Sequence, residues 1–160
     1  MRDHGARVAS FYGYKRSSAW RSAKRRHLVR QPTCVACKKQ YRGLVAFFVR
    51  LWTGTVVHHI IPFHVCLALD RPDLETDSRN LLTLCAGHHF VIGHLGQDYE
   101  YFNLYAKVCV IRCWGKSPEQ VLENIEFQRF AKDGYKAFCS WTVEEIETFR
   151  TKLTEKFAAD

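Results

Sequence analysis

The chain has no long apolar run. The longest candidate, residues 43–52, is much shorter than the roughly 18 residues that a membrane-spanning helix needs, and it contains Arg50. The first five residues, Met-Arg-Asp-His-Gly, do not begin an apolar signal segment. Together these absences predict a cytoplasmic protein with no membrane partner. The remaining composition, 47% hydrophobic and 25% charged residues, is that of a folded globular chain.

Acidic residues are almost absent from the first part of the chain. Residues 1–69 contain 13 Lys or Arg and a single acidic residue, Asp3, whereas the 160-residue chain as a whole carries a net charge of only +8. So basic a segment favours a polyanionic partner, and nucleic acid is the simplest such partner. The alternative interpretation is a solvated basic surface that serves solubility.

The cysteines are spaced as metal ligands. The count of seven is odd and the chain lacks a signal segment, so a disulfide framework is not expected. Cys34-x-x-Cys37 and Cys85-x-x-His88 are two pairs whose members are separated by two residues. Two such pairs close a tetrahedral structural zinc site, which contributes directly to folding. Cys66 is an alternative to His88 as the fourth ligand.

A second group of polar residues overlaps the zinc pairs and consists of His58, His59, Asn80, His89 and His94. Consecutive histidines on a strand point to opposite faces, so one can bind a metal while its neighbour faces a substrate. His89 and His94 are five residues apart, about 500° on an α-helix, and would share a face only loosely. A helix C-terminal cap is an equal alternative for His94.

The local patterns predict an α+β protein. We expect a basic helix over residues 17–30, a hairpin from short strands at 55–58 and 60–61, a loop over 63–79, and residues 80–84 leading into a helix over 86–93. Helical patterns follow at 99–112, 118–132 and 142–157, the last two opened by capping boxes. The expected nucleic-acid contacts are Arg21, Lys24, Arg25, Arg26, Arg30, Lys38 and Lys39.

Taken as a set, these motifs resemble the HNH endonucleases of the zinc-containing phage and bacterial type. The resemblance rests on Cys34-x-x-Cys37, on Val57-His58-His59-Ile60-Ile61-Pro62, and on the segment from Asn80 through Cys85 to His88-His89. It covers roughly residues 15–98 and implies a ββα-metal fold. The corresponding organisation is a basic arm (1–16), an HNH nuclease domain (17–98) and a helical extension (99–160).

The resemblance also implies residue roles. His59 would be the general base, and Asn80 would orient it or brace the loop between strand and helix. His58, His89 and His94 would hold a catalytic Mg²⁺ or another divalent ion. The implied activity is metal-dependent hydrolysis of DNA. The alternatives are a catalytically inactive zinc-containing nucleic-acid-binding module and an interaction protein that uses its C-terminal helices for a protein partner or for self-association.

Overall fold

The computed structural model describes residues 16–37, 44, 45, 48, 54–97, 101–124, 128, 135, 136 and 143–158. Most of the basic arm, Lys38, Lys39 and most of the apolar segment 43–52 therefore lie outside the described residues. Within the described residues, helices combine with two small antiparallel sheets of two strands each, which agrees with the α+β prediction. None of the described helices is both long and apolar enough to cross a bilayer.

Helix α1, Trp20–Arg30, is the predicted basic helix. It buries Ala23 and His27 and ends where Gln31-Pro32 stops helical hydrogen bonding. The helix has Ala19 at its N-cap and no side-chain cap, and the Ser17 amide before it donates to the carboxylate of Glu75. The basic side chains stay at the surface: Lys24 is half-buried, and the exposed ones are Arg21, Arg25, Arg26 and Arg30.

The central hairpin pairs strands that are distant in the sequence. Strand β1, Val56–His59, runs antiparallel to β2, Leu81–Leu84, with His59 opposite Leu81. The predicted pairing of residues 55–58 with 60–61 is therefore wrong. Ile60 and Ile61 are buried in the core instead, where their side chains are removed from water.

The connection between β1 and β2 is also more ordered than expected. The predicted loop contains helix α2, Phe63–Ala68, and two 3₁₀ turns, Pro72–Glu75 and Ser78–Asn80. Phe63 and Cys66 both become buried, as does Leu69 just after the helix, which is the burial of one helical face. The two prolines of this connection lie where helical elements begin: Pro62 precedes α2, and Pro72 is the first residue of the first 3₁₀ turn.

A short helical segment follows β2, as predicted. It begins with α3, Ala86–His88, and continues as a π-helix, His89–Gly93. Thus the chain passes through a hairpin and then a helical segment, and this unit carries five of the predicted metal-ligating residues: His58, Cys85, His88, His89 and, just after the π-helix, His94.

The C-terminal part packs onto this unit. It comprises β3 (Tyr101–Phe102), α4 (Ala106–Arg112), α5 (Pro118–Leu122), β4 (Tyr135–Lys136) and α6 (Val143–Ala158), and β3 pairs with β4. The capping box at Ser117 and Gln120 forms as predicted, whereas residues 101–102 are strand and not helix. Phe102 and Phe149 are both buried, with ring centroids 5.8 Å apart, and they join α6 to the core.

Candidate metal centres and their surroundings

The first centre brings Cys34, Cys37, Cys85 and His88 together, as the spacing predicts. Their ligand atoms all lie within 4.8 Å of one another. His88 Nδ1 is 3.5 Å from Cys34 Sγ, 3.6 Å from Cys37 Sγ and 3.2 Å from Cys85 Sγ. Sulfur and nitrogen ligands on one tetrahedral zinc are separated by about 3.6 Å. The four residues therefore form a cluster that could hold a metal ion, consistent with a structural zinc.

Cys66, the alternative fourth ligand, lies outside this cluster. Its thiol is buried and faces the Ile61 carbonyl oxygen at 3.5 Å. Burial raises the pKa of the Cys66 thiol to about 12, whereas a metal ligand must be a thiolate. Within the cluster, hydrogen bonding with Cys85 lowers the pKa of the Cys34 thiol, so Cys34 is the thiol most readily ionised there.

The orientation of His88 is fixed by the C-terminal part of the chain. Its Nε2 donates to the carbonyl oxygen of Lys116 at 2.9 Å, which leaves Nδ1 as the lone-pair nitrogen facing the three sulfur atoms. The Gly115 amide also donates to the Ala36 carbonyl oxygen at 2.9 Å. The segment before α5 is thus hydrogen bonded to His88 of one ligand pair and to Ala36, which lies between the two cysteines of the other pair.

The second centre unites His58, His89 and His94. Their ligand nitrogens also lie within 4.8 Å of one another. Ring centroids are 5.0 Å apart for His58 and His89, 5.3 Å for His58 and His94, and 4.7 Å for His89 and His94. His94 Nδ1 donates to the Tyr101 carbonyl oxygen at 2.7 Å, so its Nε2 carries the lone pair and lies 3.3 Å from His89 Nε2.

The π-helix resolves the spacing problem of His89 and His94. In an α-helix, residues five apart point in different directions, whereas the backbone hydrogen bonds of a π-helix join residues five apart. The π segment begins at His89 and ends at Gly93, directly before His94, so both rings reach the same centre. Each backbone hydrogen bond of this segment thus spans one residue more than it would in an α-helix, and this wider turn brings the two histidines together.

Gly93 provides the space for the third ring. A Cβ atom at Gly93 would lie 2.8 Å from His58 Cε1 and 3.1 Å from each His58 ring nitrogen. The 2.8 Å approach is closer than real Cβ contacts come, and the other two are tight, so a side chain at this position would displace the imidazole. Glycine is therefore required here because β1 and the π segment leave no room for a side chain between them. The backbone angles of Gly93 do not themselves require glycine.

The electrostatics of the three-histidine centre favour a neutral ring at His58. Burial, followed by the neighbouring His89 and His94, lowers the pKa of His58 well below its usual value. Among the described residues, no hydrogen-bond partner satisfies the buried Nε2 of His58. Three imidazoles, one of them with a buried nitrogen that has no hydrogen-bond partner among the described residues, are the ligand set of zinc and related transition ions. Mg²⁺ prefers oxygen ligands and fits this set poorly.

His59 lies on the other side of β1 and is not part of that cluster. Its Nε2 donates to the Glu75 carbonyl oxygen at 2.9 Å, and the Trp20 ring lies against it with centroids 4.4 Å apart. The side chain is buried, and that burial lowers the pKa of His59 to about 3. His59 is consequently neutral at physiological pH.

Asn80 braces the connection around His59. Its side chain accepts from the Ile61 amide at 2.8 Å and donates to the carbonyl oxygens of Ile61 at 3.1 Å and Leu74 at 2.9 Å. The residue is fully buried, so these bonds have no competition from water. Asn80 does not hydrogen bond to His59 itself and instead fixes the backbone at Ile61 and Leu74.

Sequence reasoning missed several contributors to these centres. Two are backbone carbonyls, those of Tyr101 and Lys116, and residue identity carries no signal for them. Another is Arg16, whose Nη1 lies 3.4 Å from each ring nitrogen of His59. The basic composition includes Arg16, but nothing distinguishes it from its neighbours in the chain.

Comparison of the chain with family models, with curated proteins and with solved structures gives no match.

Proposed function

We propose that the protein is a metal-dependent endonuclease of the HNH type, with a ββα-metal core, that hydrolyses phosphodiester bonds in DNA. The observation that carries the proposal is the pair of different ligand clusters that share the hairpin and the helical segment after it, with Cys34 and Cys37 contributed by the segment after α1. One has four Cys/His ligands, as structural zinc sites do. The other has three histidines, and a three-ligand site leaves a coordination position for substrate or water.

The residues of the three-histidine centre suit phosphodiester chemistry. His58, His89 and His94 would hold a divalent ion. Such an ion supplies charge stabilisation for the phosphorane-like transition state and the departing oxygen. The donor set favours Zn²⁺, Ni²⁺, Co²⁺ or Mn²⁺ over Mg²⁺.

His59 is the candidate base of this reaction. It is neutral at physiological pH, the state in which an imidazole accepts a proton from water. With Nε2 donating to the Glu75 carbonyl oxygen, Nδ1 carries the lone pair. Asn80 would act indirectly, by bracing the Leu74 carbonyl next to Glu75. The exposed arginines of α1 would contact the DNA backbone, because their guanidinium groups suit phosphate.

A zinc-containing nucleic-acid-binding module without catalysis is the second candidate. The observation that favours it is the environment of His59, which Trp20 covers at a centroid distance of 4.4 Å. A base works best when its pKa is near the working pH, and a pKa of about 3 is far below it. In this candidate, His59 is a structural residue of the hairpin. The C-terminal helices remain a predicted surface for a protein partner or a second copy in either case.

A plasmid-nicking assay tests the proposal. Purified protein containing one equivalent of zinc is incubated with supercoiled DNA in the presence of Mn²⁺, Co²⁺, Ni²⁺, Zn²⁺ or Mg²⁺, or with no added metal. Omission of metal is preferable to a chelator, because a chelator would also remove the structural zinc. We expect cleavage with the transition ions and less or none with Mg²⁺.

Three variants identify which residues any observed cleavage depends on. His89→Ala should abolish cleavage by removing a ligand, and His59→Ala should abolish it by removing the base. His64→Ala is the matched control, since His64 is a half-buried histidine outside both clusters. Salt-dependent DNA binding without cleavage by the zinc-loaded protein would support the binding module. Unchanged cleavage by His59→Ala would refute the assigned base.

A further inference from the structure

A charged side chain lies against the candidate base. Arg16 Nη1 is 3.4 Å from both ring nitrogens of His59 and 3.8 Å from Glu75 Oε1. The guanidinium carbon also lies 4.9 Å from the ring centroid of Trp20 and 5.3 Å from that of Phe63. Two aromatic rings and a carboxylate thus hold the guanidinium in one place, with the imidazole nearer to it than the carboxylate.

The two charged partners differ in their access to solvent. The Glu75 side chain is 1% exposed, whereas that of Arg16 is 25% exposed. A ligand that approaches from solvent therefore meets the guanidinium and not the carboxylate. A guanidinium presents five N–H donors in a planar fork that matches two phosphate oxygens. The sequence places Lys15 directly before Arg16 and the basic helix directly after it, so Arg16 lies within the most basic part of the chain.

We propose that Arg16 receives a phosphate of the nucleic-acid backbone and holds it beside His59. The inference rests on the proposed function and deepens it by naming the residue that positions the substrate next to the base. A phosphate bound there would bring a phosphodiester to the face of His59 that Arg16 covers. The stacking on Trp20 and Phe63 would preorganise the guanidinium, so that little side-chain entropy is lost on binding.

The competing explanation is that Arg16 only compensates the charge of the buried Glu75. A buried carboxylate needs partners, and the Ser17 amide already supplies one at 3.3 and 3.2 Å from the two oxygens. The Arg16–Glu75 separation of 3.8 Å exceeds hydrogen-bond length. Charge compensation accounts for a cation near Glu75, but it does not account for the closer approach to His59.

The experiment removes the compensating role first. Glu75→Gln eliminates the carboxylate charge but keeps an oxygen for the Ser17 amide and leaves the backbone carbonyl that holds His59. Arg16→Gln is then introduced into this Glu75→Gln protein. Arg150→Gln in the same protein is the control, because Arg150 lies on α6 and pairs with Glu147 at 2.6 Å. Thermal unfolding is measured for every variant, to establish that each one is folded.

Two readouts then separate the explanations. The first is plasmid nicking, with kcat and KM determined separately. The second is the salt dependence of binding to a fluorescent DNA duplex without added metal. We expect the Arg16→Gln, Glu75→Gln protein to lose about 10²-fold in kcat relative to the Glu75→Gln protein, which is the reference for this comparison. The plot of log affinity against log salt for the doubly substituted protein should become shallower by about one.

The outcomes distinguish failure of this inference from failure of the proposed function. If wild type nicks DNA and the Arg16→Gln, Glu75→Gln protein equals the Glu75→Gln protein in kcat and salt slope, Arg16 is only a charge partner. If wild type binds but never nicks, the nuclease proposal fails. The salt slope then decides alone: a shallower slope supports a phosphate contact at Arg16, and an unchanged slope overturns it.

Discussion

His88 and His89 are consecutive residues that belong to different metal clusters. His88 Nδ1 lies 3.2 Å from Cys85 Sγ in the four-residue cluster, and His89 Nε2 lies 3.3 Å from His94 Nε2 in the three-histidine cluster. A single peptide bond joins the two ligands, at the boundary between α3 and the π-helix. Any change that moves the start of this helical segment therefore moves a ligand of both centres.

Loss of metal from the four-residue cluster should weaken metal binding at the second centre. Cys37→Ser removes a ligand of the four-residue cluster, and zinc content should fall from one equivalent towards zero. Without the bond from the metal to His88, the start of the helical segment loses its anchor, and His89 moves with it. We expect Co²⁺ or Ni²⁺ affinity at the three-histidine centre to fall by at least about tenfold. Metal content by mass spectrometry and titration by visible absorption measure the two effects.

Zinc binding at the four-residue cluster should not depend on the three-histidine centre, and this provides the control. His89→Ala removes a ligand of the second centre only, and the protein should still retain one equivalent of zinc. Circular dichroism establishes whether Cys37→Ser remains folded. The coupling is wrong if folded, zinc-free Cys37→Ser binds Co²⁺ at the three-histidine centre as tightly as wild type does.

Gly93→Ala should impair the second centre while sparing the first. The new Cβ would lie 2.8 Å from His58 Cε1, so the imidazole must shift from its present position beside His89 and His94. A misplaced ligand weakens binding, and we expect an affinity about 10 to 100 times lower for Co²⁺. Isothermal titration with Co²⁺, together with zinc content, gives both values from one preparation.

Gly54→Ala is a suitable comparison for this change. Gly54 has a φ of +59°, and a Cβ there would meet nothing within 4 Å. Alanine should therefore cost about 1 kcal/mol of backbone strain without moving a histidine. Equal loss of Co²⁺ affinity in both variants would mean that general destabilisation, and not contact with His58, is responsible.

Asn80→Ala should be among the most destabilising polar substitutions in the described part of the chain. It leaves the Ile61 amide and the carbonyl oxygens of Ile61 and Leu74 without their side-chain partner, all in a buried region. Each unsatisfied buried group costs about 1–3 kcal/mol, so we expect a loss of about 3 kcal/mol in the free energy of unfolding. Denaturant titration of the zinc-loaded protein measures the loss.

Asn103→Ala offers a crossed control. Asn103 is also a buried asparagine, but its Nδ2 donates to the Ile92 carbonyl oxygen at 2.9 Å, next to the three-histidine centre. Asn80→Ala should perturb the His59 ring signals in NMR spectra and leave Co²⁺ affinity near wild type. Asn103→Ala should lower Co²⁺ affinity and leave the His59 ring signals unchanged. Indistinguishable spectra and affinities for the two variants would contradict these separate roles.

The ligand clusters illustrate what the sequence could predict. The two-residue spacing of Cys34 and Cys37, and of Cys85 and His88, restricts both pairs to one ion, and the structure brings all four together. The hairpin was predicted only in part, because local β-propensity at residues 55–61 cannot reveal a partner strand more than twenty residues away. Helix α2 was missed because the prolines and aspartates around it are typical of loops.

The geometry of the second centre could not be predicted for a different reason. A π-helix depends on the tertiary contacts that it permits, and residues 89–93 have no local pattern that separates it from an α-helix. The carbonyl of Tyr101, which orients His94, is a backbone group present in every residue. Which carbonyl points at a histidine is decided by packing, so only the fold reveals it.

His27→Leu should stabilise the protein, and more at pH 6 than at pH 8. Burial, followed by nearby Arg30, lowers the pKa of His27, and its Nε2 has no partner among the described residues. Above the unfolded pKa of about 6.5 the ring is neutral in both states, so the gain at pH 8 reflects only the buried orphan nitrogen, about 1 kcal/mol. Below that value the unfolded ring takes up a proton and the folded ring does not, so wild type loses stability as pH falls and the leucine variant does not. Urea titrations of zinc-loaded protein at both pH values measure the difference.

His27→Gln separates the two effects, because it removes the titrating group but keeps buried polar atoms. It should therefore lack the gain at pH 8 and still show the weaker pH dependence. A gain for His27→Leu that is the same at pH 6 and pH 8 would mean that the pKa of His27 is the same in the folded and unfolded chains, which would contradict this prediction.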